Sequence, residues 1–173
     1  MTCLTLGLGS NQQAHFHMRQ ALDGLQHHFG DLLLSSVFES EAVGFDGSNF
    51  LNMVVVCDTR LSLTGINDII KSLEDANGRR RGGPRFASRT LDIDILTYDD
   101  LHGEYEGVVL PRPEITANAF VLWPMAQVCG SKVDPDSGLS YQQLWDAYDK
   151  SRQRLWPIDF EWQGRRVSRA TPA

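Results

Sequence analysis

The stretch LDIDILTY, residues 91–98, sets two aspartates between apolar side chains. Alternation at period two marks a half-buried strand. Ile93 and Ile95 then face a core, while Asp92 and Asp94 share the opposite face, roughly 7 Å apart along the chain. Upstream lies a loop, 79–89, that contains Gly82, Gly83 and Pro84. Before it, Ile66, Ile69, Ile70 and Leu73 form the stripe of a helix capped by Ser62 and ended by Asn77-Gly78. FLNMVVVC at 50–57 and LLLSSVFES at 32–40 read as strands, separated by a Gly-bearing loop at 42–49. Met18, Leu22, Leu25 and Phe29 recur at helical spacing, and Leu4, Leu6 and Leu8 open the chain as a strand. The order β-α-β-β-α-β predicts an α+β fold, a ferredoxin-like βαββαβ sandwich whose antiparallel sheet carries helices on one face.

Beyond this unit, Val108–Leu110 reads as a short strand and Pro113 as the start of the helix carrying Phe120 to Met125. Ser140 caps a further short helix. Trp156, Phe160 and Trp162 suggest one edge strand, with the last six or so residues disordered. The expected division is a domain at 1–151 and a partly disordered C-terminal extension at 152–173.

The 173 residues are 42% hydrophobic, enough for a core without disulfides or a structural metal. Net charge is -6, but the acid is unevenly spread. Arg79, Arg80, Arg81, Arg85 and Arg89 form a cationic island with no acid among residues 78–90. An acidic chain with one such island suits a small anionic ligand better than nucleic acid or an anionic membrane. Three widely spaced cysteines read as reduced thiols, which points to a cytoplasmic protein. No signal peptide and no membrane-length apolar run is visible.

Asp92 and Asp94 can converge on one or two divalent cations, or merely line a solvated strand face. The arginines suit bidentate phosphate recognition, or form a solvated basic loop. A cationic loop followed at once by a carboxylate pair is what a nucleoside triphosphate with Mg²⁺ requires. Asn52 interrupts an apolar strand; it either satisfies a neighbour or reads the edge of a heterocycle. Phe50 and Phe120 fit the core or a stacking platform.

These pieces occur within LGLGSN (6–11), FLNMVV (50–55), LEDANGR (73–79), SRTLDIDIL (88–96) and NAFVLWPMA (118–126). In that order and spacing the chain resembles the 6-hydroxymethyl-7,8-dihydropterin pyrophosphokinase family of folate synthesis. The resemblance implies transfer of pyrophosphate from ATP to the pterin hydroxymethyl group, releasing AMP. It implies that Asp92 and Asp94 bind two Mg²⁺ with ATP, and that Arg79, Arg81, Arg89 and Arg112 meet phosphates or substrate. Glu74 matches an acid near the nucleotide, and Ile95 a contact to its base. Phe50 and Phe120 match the pterin-sandwiching aromatics, Asn52 the edge-reading amide, and Phe86 the loop aromatic. Ser40, Val43 and Gly44 match the loop that completes the pterin pocket. The expected partners are these two small substrates, bound by a monomer.

The chain departs from the family pattern at several points. Arg112 follows Pro111 where the family has His, Asn118 stands where it has Arg, and Lys71 aligns with a Gln. A paralogue with weak transfer or another acceptor is therefore a second reading. An RNA-binding ferredoxin-like module is a third, disfavoured because the strands carry acids rather than a basic aromatic face.

Overall fold

A computed structural model describes residues 1–41, 48–78 and 90–170. The elements are β1 (Thr2–Ser10), α1 (Ala14–Phe29), β2 (Leu33–Leu34), β3 (Phe38–Ser40), β4 (Phe50–Thr59) and α2 (Leu63–Ala76). They continue as β5 (Asp92–Tyr98), β6 (Gly103–Tyr105), β7 (Val108–Leu110), α3 (Glu114–Ala117), α4 (Ala119–Cys129) and α5 (Tyr141–Ala147). β8 (Leu155–Pro157), β9 (Phe160–Trp162) and β10 (Arg165–Ser168) close the chain. The main sheet runs β5-β1-β4-β3-β8, with β2 also paired to β4, and every pairing in it is antiparallel. The first four strand positions give the ferredoxin-like order.

Strand parity sorts the two faces. Leu4, Leu6 and Leu8 of β1 join Leu51, Met53 and Val55 of β4 and Ile93 and Ile95 of β5 in one core. Met18, Leu22 and Leu25 of α1 and Leu63, Ile66 and Ile70 of α2 cover it. Ser62 starts α2 by accepting from Gly65 N at 3.2 Å. The opposite face is covered too: Val54 and Leu96 pack against Leu122 and Met125 of α4 and Tyr141 and Trp145 of α5. The expectation of helices on one face is corrected here, because Val54 and Leu96 supply an apolar patch that must be buried.

Two further expectations change. The strand read at 32–40 is two short strands. Between them the Ser35 hydroxyl accepts from Val54 N at 2.9 Å, taking the place of a ladder carbonyl, and Ser36 N turns to Gln127 Oε1 of α4 at 2.8 Å. The helix expected from Pro113 breaks at Asn118, whose backbone is extended (φ -118, ψ 125).

The C-terminal segment adds three strands where one was expected. β8 pairs with β3 at the sheet edge. β9 and β10 form a hairpin whose turn, Gln163-Gly164, has φ 52 and φ 73, the positive pair that a tight two-residue hairpin needs. Phe160 and Trp162 are buried in the α1/α2-side core, and Trp162 Nε1 donates to Asp23 Oδ1 at 2.8 Å. Ordered structure reaches Ala170, whose N donates to Asp159 Oδ1 at 2.9 Å; the end of the segment expected to be disordered, 171–173, lies outside the described residues.

Candidate active site

The α4-side face bares the sheet near the C-terminal end of β1. Gly7 and Gly9 pair on one side with Val54 and Asn52 and on the other with Asp94 and Asp92. LGLGSN thus turns its leucines to the core and its glycines to this face. A Cβ at Gly9 would lie 2.9 Å from Asn52 Oδ1, so glycine gives the amide its room. Asn52 Nδ2 donates to the buried Ser40 hydroxyl at 3.4 Å.

A cavity of about 150 Å³ opens over these glycines, lined by Asn52, Asp92, Asp94, Arg112, Asn118 and Phe120 among others. A second cavity, of about 420 Å³, lies against the edge of β5 that pairs with no strand among the described residues, lined by Asn67, Asp94, Ile95, Val109, Arg112 and Glu114 among others. Asp94, Arg112 and Glu114 border both cavities. Arg112 Nη2 sits 3.5 Å from Asp94 Oδ1, and Nε sits 3.0 Å from Glu114 Oε2. The Nε contact is ionic and lacks hydrogen-bond geometry. Burial pushes the Asp94 carboxyl up to about 7; the charge of Asp92 adds to the rise and Arg112 opposes it. A half-buried carboxylate pair burdened by like charge suits a hard divalent cation, which takes oxygen ligands and keeps positions for water and phosphate. Among the described residues no third His, Cys, Asp or Glu joins them in a metal-type cluster.

The structure thus gathers Asp92, Asp94, Arg112, Asn52 and Phe120, with Ser40 behind Asn52. Phe50 lies on β4 two positions from Asn52, on the same face, outside the residues lining the smaller cavity. Ile95 borders the larger cavity, but its side chain is core; main chain is what it offers there. Glu74 is buried and lines neither cavity. Its Oε2 accepts from Ile93 N at 3.0 Å and so ties α2 to the aspartate strand. Val43, Gly44, Arg79, Arg81, Phe86 and Arg89 lie outside the described residues. Sequence reasoning missed Asn67 and Glu114. Asn67 is seven residues before Glu74, hence on the same helix face, and Glu114 is two residues after Arg112.

A ferredoxin-like sheet with a carboxylate pair at one cavity, Asp94 of which also borders a second, defines an α+β protein suited to a cation-bound ligand. Comparison with known proteins narrows this. The family model for 7,8-dihydro-6-hydroxymethylpterin-pyrophosphokinase (HPPK) matches residues 5–130, and the chain belongs to that family. It is 34% identical over 128 residues to a 2-amino-4-hydroxy-6-hydroxymethyldihydropteridine pyrophosphokinase of Bacillus subtilis, covering 72% of this chain and 76% of the relative. The protein of the same name from Synechocystis is 30% identical over 162 residues, covering 88% and 78%. A solved Plasmodium falciparum HPPK-DHPS with pterin and p-hydroxybenzoate superposes with a TM-score of 0.74 at 14% identity, a likeness of fold. That superposition covers 96% of this chain and 48% of the solved one, so this chain spans about half its length.

Proposed function

We propose that this chain transfers the β,γ-pyrophosphoryl group of ATP to the hydroxymethyl oxygen of 6-hydroxymethyl-7,8-dihydropterin. The pterin oxygen forms a bond to the β-phosphorus, the bond from that phosphorus to the α,β-bridging oxygen breaks, AMP leaves, and the hydroxyl proton is released. The observation that carries this reading is the meeting of two cavities at Asp94, Arg112 and Glu114. The smaller cavity takes the heterocycle, with Asn52 at its edge and Phe120 on one face. Phe50 completes the sandwich, and Ser40 holds the Asn52 amide. The larger cavity takes ATP, with Ile95 main chain toward the base.

Asp92 and Asp94 would hold Mg²⁺, two ions by the family resemblance. Mg²⁺ bound there supplies charge neutralisation of the triphosphate. Arg112 brings a permanent cation to the junction, and Glu74 keeps the aspartate strand in register with α2. Arg79, Arg81 and Arg89 bind phosphate, and Phe86, Val43 and Gly44 complete the pterin pocket. A monomer is the proposed state. The free thiols Cys3, Cys57 and Cys129 fit the cytoplasm, and no helix among the described residues is long and apolar enough to cross a membrane.

The test is incubation of the pure protein with Mg-ATP and the hydroxymethyl dihydropterin. AMP and pterin diphosphate in equal amounts are expected; ADP, or no turnover, would sink the reading. The second reading, weak transfer or another acceptor, is favoured by Asn118 in the pocket wall. It predicts ligand binding with little or no AMP formed from this pterin.

A further inference from the structure

Asn118 stands at the head of α4, and its side chain does not cap that helix. The free first-turn N–H of Ala119 is instead met by Gln153, whose Oε1 accepts at 2.7 Å. The same amide donates from Nε2 to Asn118 Oδ1 at 2.9 Å. Two residues bound this clasp: Tyr148 OH donates to Ala117 O at 3.1 Å, and β8 follows at Leu155. Gln153 lies beyond the 5–130 span matched by the family model.

The chain of donors has only one solution. A backbone N–H can only donate, so Gln153 must offer it oxygen. Its NH₂ must then face Asn118, and Asn118 must answer with oxygen. Asn118 lines the smaller cavity, and Nδ2 is the group left to present there. A side chain that alone could flip freely is given one polarity by a residue 35 positions away in sequence.

From this the geometry points to Gln153 as a positioning residue for the pterin pocket: it holds the first turn of α4, and so Phe120, and commits the Asn118 amide to act as a hydrogen-bond donor toward the heterocyclic substrate. This rests on the functional reading above. The C-terminal segment then contributes to substrate selection as well as to the sheet edge.

Gln153→Glu tests the polarity directly. One carboxylate oxygen still accepts from Ala119, at a helix N-terminus that favours negative charge. The other cannot donate, so Asn118 must turn its NH₂ to Glu and its oxygen to the cavity. Pterin binding is followed by fluorescence titration with a non-hydrolysable ATP analogue and Mg²⁺ present. The expected result is pterin affinity at least tenfold weaker, nucleotide affinity within twofold of the parent, and an undiminished Tm. Equal pterin affinity, or equal loss of both ligands, overturns the inference. Should Gln153→Glu not fold, Asn118→Asp with Gln153 intact makes the same substitution of acceptor for donor. The same selective loss is expected, and unchanged pterin affinity again overturns the inference. A parent chain that binds no pterin overturns the functional reading, and this inference with it; a parent that binds alongside variants that bind equally well overturns only the inference.

Discussion

Gly9 and Asn52 face each other across the β1–β4 ladder, so close that a methyl group on Gly9 would stand 2.9 Å from Asn52 Oδ1. The glycine is there for space. Gly9→Ala therefore displaces the amide from its Ser40 partner while leaving strand geometry open to alanine. The expected outcome is a KM for the pterin raised about tenfold, the size of one lost hydrogen bond, with the KM for ATP unchanged and Tm shifted by less than about 2 °C. Steady-state kinetics with each substrate varied in turn decides it. A parallel rise in both KM values would show that the glycine serves the strand and not the pocket.

Asp94 gives a stability signature that needs no substrate. Its carboxyl is raised to about 7 by burial, then by Asp92, against roughly 3.9 in an unfolded chain. The folded state therefore favours the protonated form, and the destabilisation grows as pH rises from about 4 to about 7. Side-chain exposure of 36% tempers it to about 1 kcal/mol. Asp94→Asn is expected to match the parent near pH 4 and to melt about 2–4 °C higher at pH 8 in the absence of metal. Calorimetry at both pH values is the check, and an equal offset at both would assign the effect elsewhere.

The same pair carries the metal role. Asp92→Ala and Asp94→Ala should each lower AMP formation at least about 100-fold while the fold survives, since both side chains lie at the surface of a cavity and not in the core. Near-normal turnover by either variant at millimolar Mg²⁺ removes it from that role.

Arg112 stands between Asp94 and Glu114, so Arg112→Ala leaves two carboxylates facing each other without their cation. ATP KM should rise about tenfold or more. Arg112→His restores the charge only when the imidazole is protonated, around its ordinary pKa of about 6.5. Its ATP KM should approach the parent's near pH 6 and the alanine variant's near pH 8. A pH-independent KM for the histidine variant would mean that shape, not charge, is what Arg112 supplies.

Phe160 tests whether the C-terminal hairpin belongs to the fold. Its ring is 1% exposed in the α1-side core. Phe160→Ala should cost about 3 kcal/mol, a fall in Tm of roughly 6–12 °C. A fall of under 2 °C in thermal melts would show that the hairpin is a passenger.

The sequence by itself determined the three long strands and the carboxylates placed on one of them. Period-two patterns in residues 4–8, 50–57 and 91–98 are local consequences of strand geometry, and they already put Asp92 and Asp94 on one face. The helices over 14–29 and 63–76 follow from their stripes in the same way. Tertiary structure decided what sits opposite. Nothing local in LLLSSVFES reveals that the Ser35 hydroxyl replaces a ladder carbonyl, because its donor, Val54, is 19 residues away. Nothing around Asn118 reveals that a helix breaks there with Gln153 as its partner. Two cavities sharing Asp94, Arg112 and Glu114 exist only once β5, the segment after β7 and α4 are packed together. Periodicity reports which face a side chain takes within its own element, whereas a pocket is made by faces of different elements meeting. The hydrogen bonds that tune it join residues that only the folded chain brings within bonding distance.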